Sequence, residues 1–266
     1  MTEKEFQNNA KGADSCRRLS TEPRGQDFWA RYVRGLRRNY HGEKFGTEED
    51  HNLWMSAELS KDDSRRMIRA GASSVIGLDI LLERFIGLET ADIFLERDDL
   101  YFERILGDMN NLPLRPGTFD IVFMTGTLHH SSDPVHTMHQ VAKVLTRDGI
   151  AVVINEPVYG LLRSKSLTGC SEVEHGINEH VYRIYEYWGA ARRARLQPVL
   201  LFPRSIERGL ERREPRVAQE MGKTGHAIVS CLWQSNWARR AMRGSALPIL
   251  YYFTSMPLVM IARKSP

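Results

Sequence analysis

The stretch HHSSDPVHTMH, His129–His139, gathers four histidines and an aspartate in eleven residues. Imidazole titrates near neutral pH, so His129 and His130 are candidates to take a proton from a reacting group. The same stretch raises metal binding, because His136 and His139 sit three apart and can share one helix face. No second cluster completes a recognised ligand set, and no metal site is expected. A further group lies in EHGINEHVYRIYEYW, where His175, Glu179, His180 and Tyr182 could line the substrate side of a site. Glu156 ends an apolar run and stays open between a site acid and a structural one.

Groups of this kind act only where secondary structure holds them. FDIVFMTGTLHH is predicted to be a strand running into the histidine loop, and DPVHTMHQVAKVLTRDG a helix closed by Gly149. IAVVINEP is the next strand. Upstream, HNLWMS reads as a weak strand and SKDDSRRMIRAGA as a helix with Ser60 at its N-cap and Asp62 and Asp63 in its first turn. SSVIGLDI reads as a buried strand ending in an acid, and YFERILGDMNNLPLRPG as another strand end and a turn. Downstream, EYWGAARRARLQPVLLFP is a helix leading to a strand, and a last helix precedes PLVMIARK. Alternation of this kind predicts an α/β fold with a mainly parallel sheet.

With the elements in this order, LPLRPGTFDIVFMTGTLHHSSDPVHTMHQVAKVLTRDGIAVVINEP resembles the second half of class I S-adenosylmethionine-dependent methyltransferases of the small-molecule, methyltransferase type 11-like kind. An FD-hydrophobic strand, a histidine loop, a helix opened by Asp-Pro and a strand ending in an acid follow one another as in that family. The turn reads VLTRDGI, with Asp148 in place of the first of two glycines. The resemblance implies a Rossmann-like fold whose seven-stranded, mostly parallel sheet is flanked by helices and ends in an antiparallel strand. It also implies that Asp79 accepts hydrogen bonds from the cofactor ribose and Asp108 from the adenine amino group. Met109 would pack on the adenine face, and Thr125 and Gly126, with Thr127, would open onto the cofactor and substrate cleft. The implied cofactor is S-adenosylmethionine, and His129 and His130 are the candidate catalytic residues beside it.

One part of that pattern is replaced. Counting back from Asp79, the family's glycine turn falls on Ala57, Leu59 and Lys61. Glycine reaches positive φ and leaves room for a ligand, and a β-carbon takes that room away. The alternatives therefore remain open: a methyltransferase acting on a small metabolite or a glycan- or lipid-linked acceptor, or an inactive methyltransferase-like scaffold or partner subunit. The C-terminal arginines (Arg192, Arg193, Arg195, then Arg208, Arg212, Arg213 and Arg216, then Arg239, Arg240 and Arg243) add an RNA methyltransferase as a third.

Residues 1–50 are expected to hold a flexible tail and an N-terminal helix over Asp27–Tyr40, and 51–266 the methyltransferase-like domain with a substrate-side insertion at about 158–187. The net charge of +4 and pI near 9.0 bear on association and leave the fold unspecified. Cys16, Cys170 and Cys231 form no metal or redox spacing, which suits reduced thiols in a cytoplasmic protein. ALPILYYFTSMPLVMIA is too short and too interrupted by Pro248 and Pro257 to span a membrane. A helix end followed by a buried strand over Leu258–Ala262 accounts for it instead.

Overall fold

The computed structural model describes residues 64, 67–80, 88–92, 101–131, 133–161 and 180–265. They fall in two compact units that divide between Pro113 and Leu114. The predicted N-terminal helix, the strand HNLWMS and the replaced glycine positions lie outside the described residues.

In the first unit, β1 (Ile76–Asp79) and β2 (Glu103–Leu106) pair in parallel, with Asp79 opposite Leu106. Helical residues 67–69 precede β1 and end at Gly71, whose φ of +98° makes a turn suited to glycine. Phe102 and Ala91 are buried, with Ile68 and Val75 packed against them. Arg104 anchors this corner by donating to the Leu88 carbonyl and pairing with Asp92.

In the second unit, β3 (Phe119–Thr125), β4 (Leu145–Glu156), β5 (Leu196–Leu200) and β6 (Leu258–Lys264) form a sheet in the order β3-β4-β6-β5. β3 and β4 run parallel, while β6 is antiparallel to both β4 and β5. The antiparallel last strand is as expected, and six strands stand among the described residues where the resemblance implies seven. Helix α1 (Pro134–Val144) joins β3 to β4. Asp133 caps it by accepting from the Val135 and His136 amides, and Pro134 opens it with φ already set. Its buried Thr137, Met138, Val141 and Val144 recur at helical spacing.

The predicted run of this helix to Gly149 is corrected: it stops at Val144, and β4 begins at once with Leu145. Leu145 takes an extended conformation and is fully buried, so packing pulls it into the sheet. The register then shifts, from Phe119 opposite Leu145 to Ile121 opposite Ile150. Gly149 sits in this irregularity, where a β-carbon would come to 3.0 Å from both the Phe119 carbonyl oxygen and Leu145 Cδ2. The glycine is required by close approach within β4 and to the neighbouring β3.

Helix α2 (Ile184–Arg193) leads into β5 as predicted, so the irregular region expected at about 158–187 ends before Ile184. Glu186 caps its start by accepting from the Arg183 amide at 2.7 Å. Helices α3 (Arg204–Arg212), α4 (Arg216–Met221), α5 (Lys223–Trp233), α6 (Asn236–Met242) and α7 (Leu247–Phe253) follow before β6. α7 and β6 make up the apolar stretch 246–262, with Leu247, Tyr251, Leu258, Met260 and Ala262 buried in this unit. No helix among the described residues is long and apolar enough to cross a membrane.

A tight contact ties the segment after β4 to the end of α7. A β-carbon on Gly160 would lie 2.4 Å from the Phe253 carbonyl oxygen and 2.9 Å from that of Thr254. Both obstacles are main chain, so neither can rotate away. Gly160→Ala is expected to lower stability by about 1–3 kcal/mol, the usual cost of overpacking, read from the midpoint of a urea denaturation curve. An unshifted midpoint would show that the segment moves aside freely.

Candidate active site

At the carboxyl end of β3 the chain turns sharply. Gly126 has a φ of +54°, a conformation that glycine adopts without strain, and its amide donates to the Ile154 carbonyl at 3.0 Å. Thr125 Oγ1 accepts from Asn155 Nδ2 at 3.2 Å, and Thr127 Oγ1 donates to the Thr125 carbonyl at 2.9 Å. A short 3-10 turn, Leu128–His130, then carries both candidate histidines. Their rings lie 3.9 Å apart between centroids.

The centre of this loop is Glu156, whose side chain is fully buried at the end of β4. Its Oε1 accepts from the Thr127 amide at 2.8 Å and from the Leu128 amide at 2.9 Å. Its Oε2 accepts from the His129 amide at 3.1 Å and lies 2.8 Å from His129 Nδ1. Three amide N–H donors and a ring nitrogen thus converge on a group that has only acceptors when ionised, which is how a carboxylate tolerates burial.

The side chain reaches that position through an irregularity in β4. Ala151 and Val153 are buried by the period-two pleat, which would next bury residue 155. Asn155 instead adopts a φ of 57° and is exposed, and the pairing with β6 shifts between Ile154 and Glu156. A one-residue bulge of this kind re-aims the following side chain. Asparagine tolerates the left-handed region better than most residues, and the pair Asn155–Glu156 before Pro157 is the signal in the sequence that could have marked it.

Part of the irregular region returns to this loop. The His180 amide donates to the His129 carbonyl at 3.0 Å, and the Tyr182 hydroxyl donates to the Ser131 carbonyl at 2.6 Å. His180 stacks on Tyr182 at 5.5 Å, and Tyr182 meets Tyr187 edge-on at 5.5 Å. The Tyr182 hydroxyl is pushed up to about 12, first by burial and then by the charges of Glu186 and Asp133. It stays protonated at neutral pH and acts as a donor. Of the predicted second group, His175 and Glu179 lie outside the described residues. His136 and His139 are exposed on α1.

The acids of the first unit stand at adjacent strand ends. Asp79 is the half-buried last residue of β1, and its carbonyl accepts from the Gly107 amide at 2.9 Å. Asp108 follows β2 and caps the short turn Met109–Asn111, its Oδ1 accepting from the Asn110 amide and from Asn110 Nδ2, each at 2.8 Å. Met109 is half-buried beside it. The capping role of Asp108 is the local one available to any loop acid, and it engages one of its two oxygens.

Residues 63–153 match the family model of a methyltransferase domain. Over these residues the chain is similar to a methyltransferase domain. The matched residues take in Asp79, Asp108, Met109, Thr125, Gly126, His129 and His130, and stop short of Glu156 and His180. A tRNA U34 carboxymethyltransferase from Campylobacter hominis is 33% identical over 84 residues, which cover 32% of this chain and 28% of that protein. Among solved structures, phosphoethanolamine N-methyltransferase 2 from Haemonchus contortus, in complex with phosphomonomethylethanolamine and S-adenosylhomocysteine, aligns with a TM-score of 0.55 at 15% identity. That alignment covers 94% of this chain and 60% of that one. A protein assigned as a candidate sarcosine dimethylglycine methyltransferase from Galdieria sulphuraria aligns with a TM-score of 0.50 at 15% identity, covering 88% of this chain and 98% of that one. At these identities the structural likeness is one of fold. The order of strands and helices is the one expected for a Rossmann-like α/β protein.

Proposed function

We propose that the chain, through a methyltransferase-like domain over residues 51–266, transfers a methyl group from S-adenosylmethionine to a small metabolite or a glycan- or lipid-linked acceptor. The observation that carries the reading is the pair of acids at the carboxyl ends of adjacent parallel strands within the matched methyltransferase domain. Ligands of open α/β sheets bind outside the carboxyl ends of the strands. Two carboxylates there suit a ribose diol and an amino group, which are donors in search of acceptors. In this reading Asp79 takes the ribose hydroxyls, Asp108 the adenine amino group through its second oxygen, and Met109 the adenine face. Thr125 and Gly126 line the cofactor side of the β3 loop.

When bound, S-adenosylmethionine supplies an electrophilic methyl group on its sulfonium. The chain's own task is to orient the acceptor and take its proton. His129 is the base in this reading, with His130 beside it and the Tyr182 hydroxyl holding the loop at Ser131. The apolar groove between α2 and α7, about 430 Å³ and lined by Trp188, Leu200, Tyr252 and Phe253 among others, would suit an acceptor with an apolar part.

Titration calorimetry with S-adenosylmethionine and S-adenosylhomocysteine tests the proposal, because the replaced turn at Ala57, Leu59 and Lys61 is the feature that opposes it. Saturable binding of both below millimolar concentration is expected. No heat at millimolar ligand would favour a scaffold or partner subunit built on the same fold.

A second reading, an RNA acceptor, is favoured by the similarity to a tRNA-modifying protein. Against it, several of the arginines behind that reading are already paired. Arg212 and Arg216 both meet Glu214, at 3.7 and 2.5 Å, and Arg243 pairs with Glu207 while lying 5.3 Å over the Trp233 ring. An RNA affinity that falls steeply with salt would revive it, since released counterions dominate such binding.

A further inference from the structure

The geometry of Glu156 leads beyond the assignment of a base, and the inference rests on the reading of His129 as the proton acceptor. A carboxylate has no proton to donate, so the 2.8 Å contact between Glu156 Oε2 and His129 Nδ1 requires the hydrogen to sit on Nδ1. In neutral imidazole the lone pair then lies on Nε2. We propose that Glu156 is the positioning residue of this site, holding His129 as its Nδ1–H tautomer and aiming Nε2 as the atom that receives the acceptor's proton.

Holding the loop alone would not require the ring contact. The amides of Thr127, Leu128 and His129 already satisfy the loop's main chain through both carboxylate oxygens. The imidazole is an additional donor, brought to the same oxygen that takes its own residue's amide. The His180 amide fixes the opposite side of that peptide by donating to the His129 carbonyl. The ring is therefore oriented from its own main chain and from its Nδ1 edge together, and only 13% of its side chain is exposed.

The chemistry balances simply. The proton of the acceptor's O–H or N–H passes to Nε2, and its bonding pair stays with the acceptor atom as nucleophile. The resulting imidazolium carries two N–H groups and faces the negative charge of Glu156, which stabilises it until the Nε2 proton passes to water. The bulge at Asn155 belongs to the same device, since it puts the carboxylate on the buried side of β4.

The test is nitrogen NMR of the full chain with ¹⁵N-labelled histidine, with the His129 resonances assigned by their disappearance in His129→Gln. In the wild-type protein at neutral to mildly alkaline pH, Nδ1 is expected to report as protonated and Nε2 as bearing the lone pair. In Glu156→Gln the side-chain amide competes for the same contact, and the Nε2–H tautomer is expected to appear. Glu156→Asp should return the wild-type pattern. A wild-type His129 found as the Nε2–H tautomer, or as an even mixture of the two, overturns the proposal without recourse to any variant. If the Nδ1–H tautomer is found and His129→Gln still transfers methyl groups, the base reading fails while the tautomer assignment to Glu156 stands.

Discussion

Glu156→Leu is expected to lower the unfolding free energy by about 3–5 kcal/mol, the range seen when one partner of a buried polar network is removed. Leucine has similar volume, so the loss comes from the stranded donors and little from a cavity. Three consecutive amides, Thr127, Leu128 and His129, lose their acceptor along with the imidazole. Each buried unsatisfied donor costs about 1–3 kcal/mol. The total is held below their sum because Thr127 and His129 are half-buried and admit some water. Urea denaturation followed by circular dichroism measures the change. Glu156→Gln retains one acceptor oxygen and should lose roughly half as much. A leucine variant within about 0.5 kcal/mol of the wild type would mean that the loop finds other partners, and that the carboxylate is no clamp.

Asp79→Ala should weaken S-adenosylhomocysteine binding by about 100-fold, equivalent to about 2.7 kcal/mol. Hydrogen bonds to a charged acceptor contribute roughly 1.5–3 kcal/mol, and the proposed site uses the carboxylate for a vicinal diol. The substitution suits the purpose because the main chain there is independently fixed. The Asp79 carbonyl takes the Gly107 amide at 2.9 Å, and the residue closes the β1–β2 ladder opposite Leu106. Parallel calorimetric titrations of wild type and variant decide the matter. Equal affinities would remove Asp79 from the binding site and leave it as a strand-end acid.

These two acids differ in how far they could be read in advance. Asp79 closes the mostly apolar run 75–78, so its place at a strand end is a local matter of pattern. Glu156 also ends an apolar run, and beyond the Asn155–Glu156–Pro157 pattern nothing local marks it as buried. Its four contacts come from residues 27 to 29 positions earlier. The contacts of His180 with His129 and of Tyr182 with Ser131 span about fifty positions. No short-range propensity encodes such meetings.

Local physics was legible throughout. The Asp133-Pro134 start of α1, the apolar spacing Met138–Val141–Val144 along it, and the alternating burial of β4 are written in residue types and periods. Where α1 ends was decided elsewhere: burying Leu145 in the sheet outweighed continuing the helix to Gly149. The arginines of the C-terminal half likewise read as a cationic surface until Glu207, Glu214 and Trp233 claim several of them. The amino-acid sequence by itself determined the α/β order of elements, the histidine loop and the acids at the strand ends, because caps and hydrophobic periods act over a few residues. Only the tertiary structure decided that the Asn155 bulge turns Glu156 inward onto His129, because that choice depends on donors supplied by a distant strand end.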